Sequence, residues 1–126
     1  MPKQPVRHPD RRVSTGAYND GVVVGPWLYV SGCGPRDLRT NEIVGTTVEA
    51  QTEATLGRVK ATLEAAGFRM EHVVKCTVYL KRIDAFEQFN GVYEKAFPDP
   101  KPARTTVQAG LRGGILVQMD AIAYMM

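Results

Sequence analysis

The stretch HVVKCTVYL, residues 72–80, constrains the fold strongly, because it is apolar on both faces of an extended strand. Alternate side chains of a strand point to opposite faces of a sheet, so a strand of this kind needs covering structure on both sides. We therefore expect a sheet that is buried on both faces. One face carries Val74, Cys76, Val78 and Leu80, and the other carries Val73, Lys75, Thr77 and Tyr79.

Two segments have the apolar spacing of helices that would cover one of these faces. The first is predicted over 47–66, with Gly67 placed to end it. Gly57 lies inside this helix, and it predicts a close approach to the sheet. The second helix is predicted to begin at Asp84, which forms a capping box with Glu87. Its apolar stripe consists of Phe86, Phe89, Tyr93 and Phe97.

The remaining segments read as strands. GVVVGPWLYVSG predicts two strands around a Gly25-Pro26 turn, and the last 24 residues, ARTTVQAGLRGGILVQMDAIAYMM, predict two extended runs joined by a glycine-rich turn. The order β-β-α-β-α-β-β predicts one α+β domain, residues 13–126, with both helices on one face of the sheet. A partner subunit is the simplest cover for the other face.

Charge and cysteine content exclude several classes of function. Residues 1–12 contain four basic residues and one acidic residue, a net charge of +3 that accounts for the whole +3 of the chain. The segment is predicted to be a mobile basic tail, and the neutral body argues against nucleic acid as a partner. Neither a membrane-spanning run nor a secretory signal is present, so a cytoplasmic location is expected. Two cysteines and two histidines without ligand spacing predict no metal site.

The final two strands raise the question of a functional site. Pairing them so that the apolar side chains share a face puts Arg104 directly opposite Asp120. One interpretation is a cross-strand ion pair on a solvated face. The other is a site in which Arg104 binds a carboxylate through two parallel hydrogen bonds and Asp120 orients a water molecule, with the Thr106 hydroxyl beside them.

Five motifs, in this order and spacing, resemble the Rid family of reactive intermediate/imine deaminases, also called the YjgF family. They are TGAYNDGVVVGPWLYVSG, VEAQTEATLGRVKATLEAAGF, FNGVYEKAF, KPARTTVQAGL and ILVQMDAIA, and together they extend over about residues 14–124. The resemblance implies a chorismate-mutase-like fold of the Bacillus type. It also implies a homotrimer whose three sheets form a central barrel, with clefts at the subunit interfaces.

The resemblance further implies an activity and a set of residues. Members with this arginine hydrolyse reactive enamines and imines, such as 2-aminoacrylate, to 2-keto acids and ammonia without a cofactor. Arg104 would bind the substrate carboxylate and Asp120 would position water, as the catalytic pair. The other residues that would line the cleft are Tyr18, Ser31, Gly32, Cys33, Asn90 and Thr106.

Three of these positions depart from the family pattern, so the identity of the substrate is left open. Asp120 stands where Glu is common, Thr106 where Cys is common, and Cys33 where Gln is common. Cys33 is expected at an exposed strand end, with a redox role as an alternative, whereas Cys76 is expected to be buried. The alternative functions are a non-catalytic trimer that binds small carboxylates and a dedicated catabolic deaminase for an aminomuconate-like substrate. RNA cleavage is a further alternative, which the neutral body disfavours.

Overall fold

A mixed six-stranded sheet with two helices packed against one face forms the fold of the computed structural model, which describes residues 2–12 and 16–126. Residues 13–15, with which the predicted domain begins, lie outside the described residues. The strand order is β1-β2-β3-β6-β4-β5. The strands are β1 (Gln4–Val6), β2 (Gly21–Val24), β3 (Trp27–Cys33), β4 (Val73–Leu80), β5 (Ala103–Gln108) and β6 (Val117–Tyr124).

The helices are α1 (Val48–Ala65) and α2 (Phe86–Tyr93), and short 3-10 turns at Met70–His72 and Ile83–Ala85 lead into β4 and α2. The core lies between the helices and the sheet and includes the fully buried Leu28, Val59 and Val117. This arrangement confirms the predicted α+β class. None of the described helices has the length and apolar character that a membrane crossing requires.

Local signals predicted α1 well. The Thr47 hydroxyl accepts a hydrogen bond from the Ala50 backbone N–H at 3.1 Å, as a helix-capping residue does. The helix ends before Gly67, whose φ of +82° lies in the left-handed region that glycine adopts readily. The explanation for Gly57 is wrong, because this glycine is exposed and a β-carbon placed on it would meet nothing within 4 Å.

The start of α2 differs from the prediction. Asp84 does not cap the helix, because its carboxylate pairs with the Arg82 guanidinium at 2.9 Å and a 3-10 turn precedes the first α-helical residue. Ala85 occupies the capping position without a side-chain hydrogen bond. The aromatic stripe is confirmed: successive ring centroids of Phe86, Phe89, Tyr93 and Phe97 are 6.3, 5.3 and 5.0 Å apart.

The predicted mobile tail is wrong for the residues around β1. Gln4–Val6 pairs antiparallel with β2 as the edge strand of the sheet, a position where Pro5 costs no ladder hydrogen bond. Beyond this strand, the Arg11 guanidinium forms an ion pair with the buried Asp20 carboxylate. The Asp20 Oδ2 also accepts the His8 backbone N–H at 2.9 Å. Much of the excess positive charge therefore belongs to a docked segment.

The predicted pairing of the final two strands is also wrong. β5 runs parallel to β4, and β6 runs antiparallel to the other side of β4, so β4 separates them. The glycine-rich segment 109–116 is a loop that crosses the end of β4 rather than a hairpin turn. The Ala109 N–H donates to the Leu80 carbonyl at 2.9 Å and the Lys81 N–H donates to the Leu116 carbonyl at 3.0 Å.

The faces predicted for β4 hold along most of the strand. Cys76, Val78 and Leu80 are buried against the helices, as expected. At the start of the strand the alternation shifts, so that Val73 is buried and Val74 is exposed. An irregularity in the pairing with β6 between Val73 and Lys75 accounts for this shift.

Candidate functional site

Arg104 and Asp120 lie on opposite faces of the sheet. Arg104 is beside Cys76 in the parallel β4–β5 register, and Asp120 is opposite Thr77 in the antiparallel β4–β6 register. Neighbouring positions on one strand point to opposite faces, so Arg104 points to the helix side with the buried Cys76. Within this chain, the two residues predicted to act side by side are therefore apart.

Arg104 is held by α2. Its Nη1 donates to the Asn90 Oδ1 at 2.7 Å, and its Cζ atom lies 5.2, 5.7 and 4.7 Å from the ring centroids of Phe86, Phe89 and Tyr93. Aromatic faces attract a guanidinium without neutralising its charge. Among the described residues, Arg104 forms no ion pair and uses one of its nitrogen atoms in a hydrogen bond. The guanidinium thus keeps its charge and several donors.

A buried hydroxyl group close to Arg104, the Thr106 Oγ1, has no hydrogen-bond partner among the described residues, and it lies two residues along β5 on the same face. The Tyr93 hydroxyl is buried there as well, beside the Cys76 thiol. Burial raises the pKa of the Tyr93 phenol, so it stays protonated. Buried polar groups are usually satisfied, so an unpartnered hydroxyl such as that of Thr106 beside a charged arginine is a feature of a site that takes a polar ligand or water. The structure thus brings three of the predicted site residues, Arg104, Asn90 and Thr106, close together.

Asp120 belongs to a different group, on the sheet face away from the helices. Its Oδ2 accepts a hydrogen bond from the Tyr79 hydroxyl at 3.1 Å. Burial, followed by this hydrogen bond, raises the pKa of the Tyr79 phenol, which therefore remains a donor to the carboxylate. Gln118 lies two positions before Asp120 on the same face and approaches the Gly32 backbone.

Tyr18, Ser31 and Gly32 lie together at a surface depression of about 780 Å³, where β3 ends and β6 begins. The Ser31 hydroxyl donates to the Asn19 carbonyl at 2.6 Å, which fixes the approach of the loop before β2. A β-carbon on Gly32 would lie 2.8 Å from the Gln118 amide nitrogen, so the glycine lets Gln118 contact the strand backbone. These three predicted cleft residues are thus brought together, but apart from Arg104.

Cys33 does not belong to this surface. Its side chain is buried, with the Sγ 3.7 Å from the Met119 carbonyl oxygen, and burial raises the pKa of the thiol to about 11. The expectations of an exposed strand end and a substrate contact are therefore wrong for Cys33. A bulge in the β3–β6 pairing between Val30 and Cys33 shifts the side chain toward the core. Cys76 is buried, as predicted.

Sequence reasoning missed the arginines that line the depression. Arg36 and Arg112 lie on loops, and Arg58 projects from α1 and donates to the Gly34 carbonyl at 3.3 Å. The arginine-bearing loop 109–116 is anchored by the buried Gln51 of α1. The Gln51 amide donates to the Gly114 carbonyl at 2.9 Å and accepts the Leu116 N–H at 2.7 Å. These residues are far apart along the chain, so no local motif signals them.

The comparison with protein families decides the family. The model of the family described as Endoribonuclease L-PSP matches residues 9–125. The chain belongs to this family. It is the Rid, or YjgF, family that the sequence motifs resemble. In the part of the chain that the structure describes, no group of three histidine, cysteine, aspartate or glutamate side chains is placed to hold a metal ion.

Individual relatives place the chain within the Rid family. A RutC family protein of Saccharolobus solfataricus is 47% identical over 109 residues, which cover 86% of both chains. A 2-iminobutanoate/2-iminopropanoate deaminase of Dermatophagoides farinae is 33% identical over 106 residues, 84% of this chain and 83% of the relative. The crystal structure of E. coli TdcF with bound serine has a TM-score of 0.89 at 28% identity, covering 98% and 99% of the chains. The chorismate-mutase-like fold is thereby confirmed.

Proposed function

We propose that this Rid family protein hydrolyses 2-imino acids and their enamine tautomers to 2-keto acids and ammonia. Water adds to the imine carbon, the carbon–nitrogen bond of the resulting tetrahedral intermediate breaks, and ammonia leaves with the transferred protons. The reaction involves no change of oxidation state and needs no cofactor. The relative named as a 2-iminobutanoate/2-iminopropanoate deaminase supports this reaction class.

The environment of Arg104 is the observation that carries the proposal. An arginine fixed by an amide and three aromatic rings retains its positive charge and a planar set of donors, which match a carboxylate. The bound serine of TdcF, a small molecule with a carboxylate, supports this ligand class. The Thr106 hydroxyl, which is buried on the same face and has no partner within the described part of the chain, would contact the same substrate.

A homotrimer would complete the site. The sheet face away from the helices exposes large apolar side chains, including Tyr29 at 47% and Val107 at 39%, and the outer edge of β5 pairs with no described strand. Both features favour burial against other copies of the chain. In the proposed assembly, the β5 edge with Arg104 meets the surface of Tyr18, Ser31 and Gly32 from the next subunit.

Asp120 is the proposed water-positioning group. Its carboxylate is held by Tyr79 on the face that the trimer would enclose, and a positioned acid or base contributes about 10²- to 10⁴-fold to a reaction rate. The separation of Asp120 from Arg104 within one chain favours a second candidate function. If the assembly does not bring these groups together, the protein is a trimer that binds small carboxylates without turning them over.

The deciding experiment measures ammonia and keto-acid release from imines that an amino-acid oxidase generates in the assay. Wild type is expected to accelerate release, and Asp120→Asn to reduce turnover by about 10²-fold or more while ligand binding persists. Full turnover by Asp120→Asn would contradict the role of Asp120. Binding of keto acids without turnover by the wild type would favour the binding function. Sedimentation equilibrium should give about three times the 13.9 kDa chain mass, and a stable monomer would contradict the trimer.

A further inference from the structure

The depression beside Tyr18 and Ser31 carries uncompensated positive charge. Arg11, Arg36, Arg58 and Arg112 line it, and none of the described residues that line it is an aspartate or glutamate. Arg11 is neutralised by its ion pair with Asp20. Among the described residues, the other three arginines form no ion pair. Three positive charges therefore face one volume of about 780 Å³, the size of a small-molecule site.

The contacts that hold these arginines leave their charge available. Arg36 donates to the Asn41 carbonyl and Arg58 donates to the Gly34 carbonyl, which are neutral acceptors. Arg58 is half-buried, so its charge is less screened by water than that of an exposed side chain. Convergent guanidinium groups in a concave surface concentrate positive potential and favour an anionic ligand.

The depression is continuous with the predicted substrate surface. The residues that line it include Tyr18, Ser31 and Gly32, which the family motifs assign to the cleft. A substrate whose own carboxylate is bound by Arg104 of one subunit would extend from that point toward the arginines of the next. Its distal end would meet three positive charges, which favour an anionic group and give an alkyl group no benefit.

We infer that Arg36, Arg58 and Arg112 bind a second, distal carboxylate of the substrate, so that the preferred substrates are dicarboxylic 2-imino acids. This inference rests on the proposed deaminase function and narrows its substrate class. Planar guanidinium groups bind a carboxylate through paired hydrogen bonds, which a side chain ending in a methyl group cannot accept. The chemistry at the imine carbon is unchanged, with water consumed and ammonia released.

The test compares two substrates, the imines formed in the assay from alanine and from glutamate, with catalase present to remove peroxide. The wild type is expected to have the higher kcat/KM for the glutamate-derived imine. Arg58→Gln and Arg112→Gln should each lower that value by about 10- to 100-fold, the size expected for a lost charge-assisted hydrogen bond, and leave the alanine-derived imine unaffected. Arg39→Gln is the matched control, because Arg39 pairs with Asp10 and does not line the depression.

Other outcomes would contradict the inference or the deaminase function on which it rests. Equal losses for both substrates, or a wild type that prefers the alanine-derived imine, would overturn the inference while leaving the deaminase function in place. If the wild type hydrolyses neither imine, the proposed deaminase function is wrong. Calorimetry with 2-oxoglutarate and 2-oxobutanoate then tests whether the arginines still form a binding site for a second carboxylate. Preference for 2-oxoglutarate that is lost in Arg112→Gln would keep the dicarboxylate site without catalysis. Arginine-dependent binding of inorganic phosphate, but not of 2-oxoglutarate, would overturn the inference.

Discussion

Arg11 and Arg104 are both largely enclosed by protein, but they have opposite electrostatic surroundings. Arg11 faces the Asp20 carboxylate, and the two side chains are only 12% and 5% exposed. Arg104 faces the neutral Asn90 amide and three aromatic rings. The first arrangement uses the charge to hold the N-terminal segment against the body of the protein, whereas the second leaves the charge without a carboxylate among the described residues. The nearest acceptor therefore differs between the arginine of an internal ion pair and the arginine that we propose binds the substrate.

Removing Arg104 should have the largest effect on activity. Arg104→Ala is expected to lower ammonia release by more than about 10²-fold, because the substrate loses both a charge-assisted contact and its orientation. Thermal stability should fall much less than activity, since the side chain forms no ion pair with a described residue and loses one hydrogen bond and its ring contacts. Arg104→Lys serves as the charge-matched control and should recover little activity, because an ammonium group lacks the planar donors. An active Arg104→Ala enzyme would return Arg104 to a purely structural role.

Removing the partner of Arg11 should instead affect stability. Asp20→Ala leaves a mostly buried guanidinium without its carboxylate, and the free energy of unfolding should fall by about 3–5 kcal/mol. Urea unfolding of wild type and variant measures this difference. Asp84→Ala is the control, because its ion pair with Arg82 is exposed, and exposed pairs contribute about 1 kcal/mol or less. Similar losses in both variants would contradict the structural role of the Arg11 pair.

Asn90→Asp makes the surroundings of Arg104 resemble those of Arg11. The new carboxylate would occupy the guanidinium and compete with the substrate carboxylate, so KM should rise by about 10- to 100-fold with little loss of stability. Steady-state kinetics and thermal unfolding on the same preparation test both parts. Asn90→Ala is the matched variant, because it removes the amide contact without adding a charge. A KM that rises equally in both variants would show that orientation, not neutralisation, dominates.

Low pH should weaken the surroundings of Arg11 but not those of Arg104. Burial lowers the pKa of the His8 imidazole below 6.5. The unfolded chain therefore takes up a proton on His8 more readily than the folded chain, and the folded state loses stability as the pH falls below about 6.5. Burial acts to raise the pKa of Asp20, but hydrogen bonds from Arg11 and the His8 backbone outweigh it and lower the pKa below 3.8. The stability from Asp20 is therefore lost below about pH 4 as well.

Hydrogen exchange of the β1 amides against pH measures this effect. As the pH falls, the protection of the β1 amides should decrease before that of the β4 amides. The contact between Asn90 and Arg104 should not change, because a neutral amide side chain does not titrate. His8→Gln should remove the part of the decrease that begins near the ordinary histidine pKa of about 6.5. Equal acid sensitivity of β1 and β4 would mean that these two groups do not control the docking of the N-terminal segment.

The smallest predicted effect concerns the rings around Arg104. Phe86→Leu removes one aromatic face 5.2 Å from the guanidinium carbon and keeps most of the apolar volume. The expected loss is about 0.5–1 kcal/mol of substrate binding, or a two- to fivefold rise in KM. Phe97→Leu provides the comparison within the same stripe, because Phe97 contacts Tyr93 rather than Arg104. Equal KM changes in the two variants would point to packing of α2 rather than to the cation.

Local patterns predicted the elements whose cause is local. The α1 helix, its glycine end and the aromatic stripe of α2 follow from spacing within one segment. The neighbours of β5 and β6 do not follow from local spacing, because alternation of apolar side chains fits any neighbouring strand. The position of β4 between these two strands depends on the whole sheet. The edge strand β1 was missed because three residues containing a proline give almost no strand signal.

In the candidate site, too, residues within recognisable motifs could be predicted, whereas contacts that depend on the tertiary structure could not. The Pro-Ala-Arg motif and the family resemblance identified Arg104, Asn90 and Thr106, which the structure brings together. The placement of Asp120 opposite Arg104 failed with the wrong strand pairing. Burial of Cys33 depends on a bulge, which no residue in the Ser-Gly-Cys stretch signals. Arg36, Arg58 and Arg112 come from two loops and a helix, and only tertiary structure makes them neighbours.

The way in which these arginines are attached to the fold has an evolutionary consequence. Arg104, Asn90 and the rings that hold the guanidinium belong to one continuous stretch, residues 86–104, that also builds part of the core. Arg36 and Arg112 lie on surface loops, where substitutions and length changes disturb packing little. Under the proposed roles, descendants of such a protein could change which substrate side chains they accept while keeping the Arg104 contact with the carboxylate that all these substrates share. A duplicated gene would have a short mutational path to a new specificity.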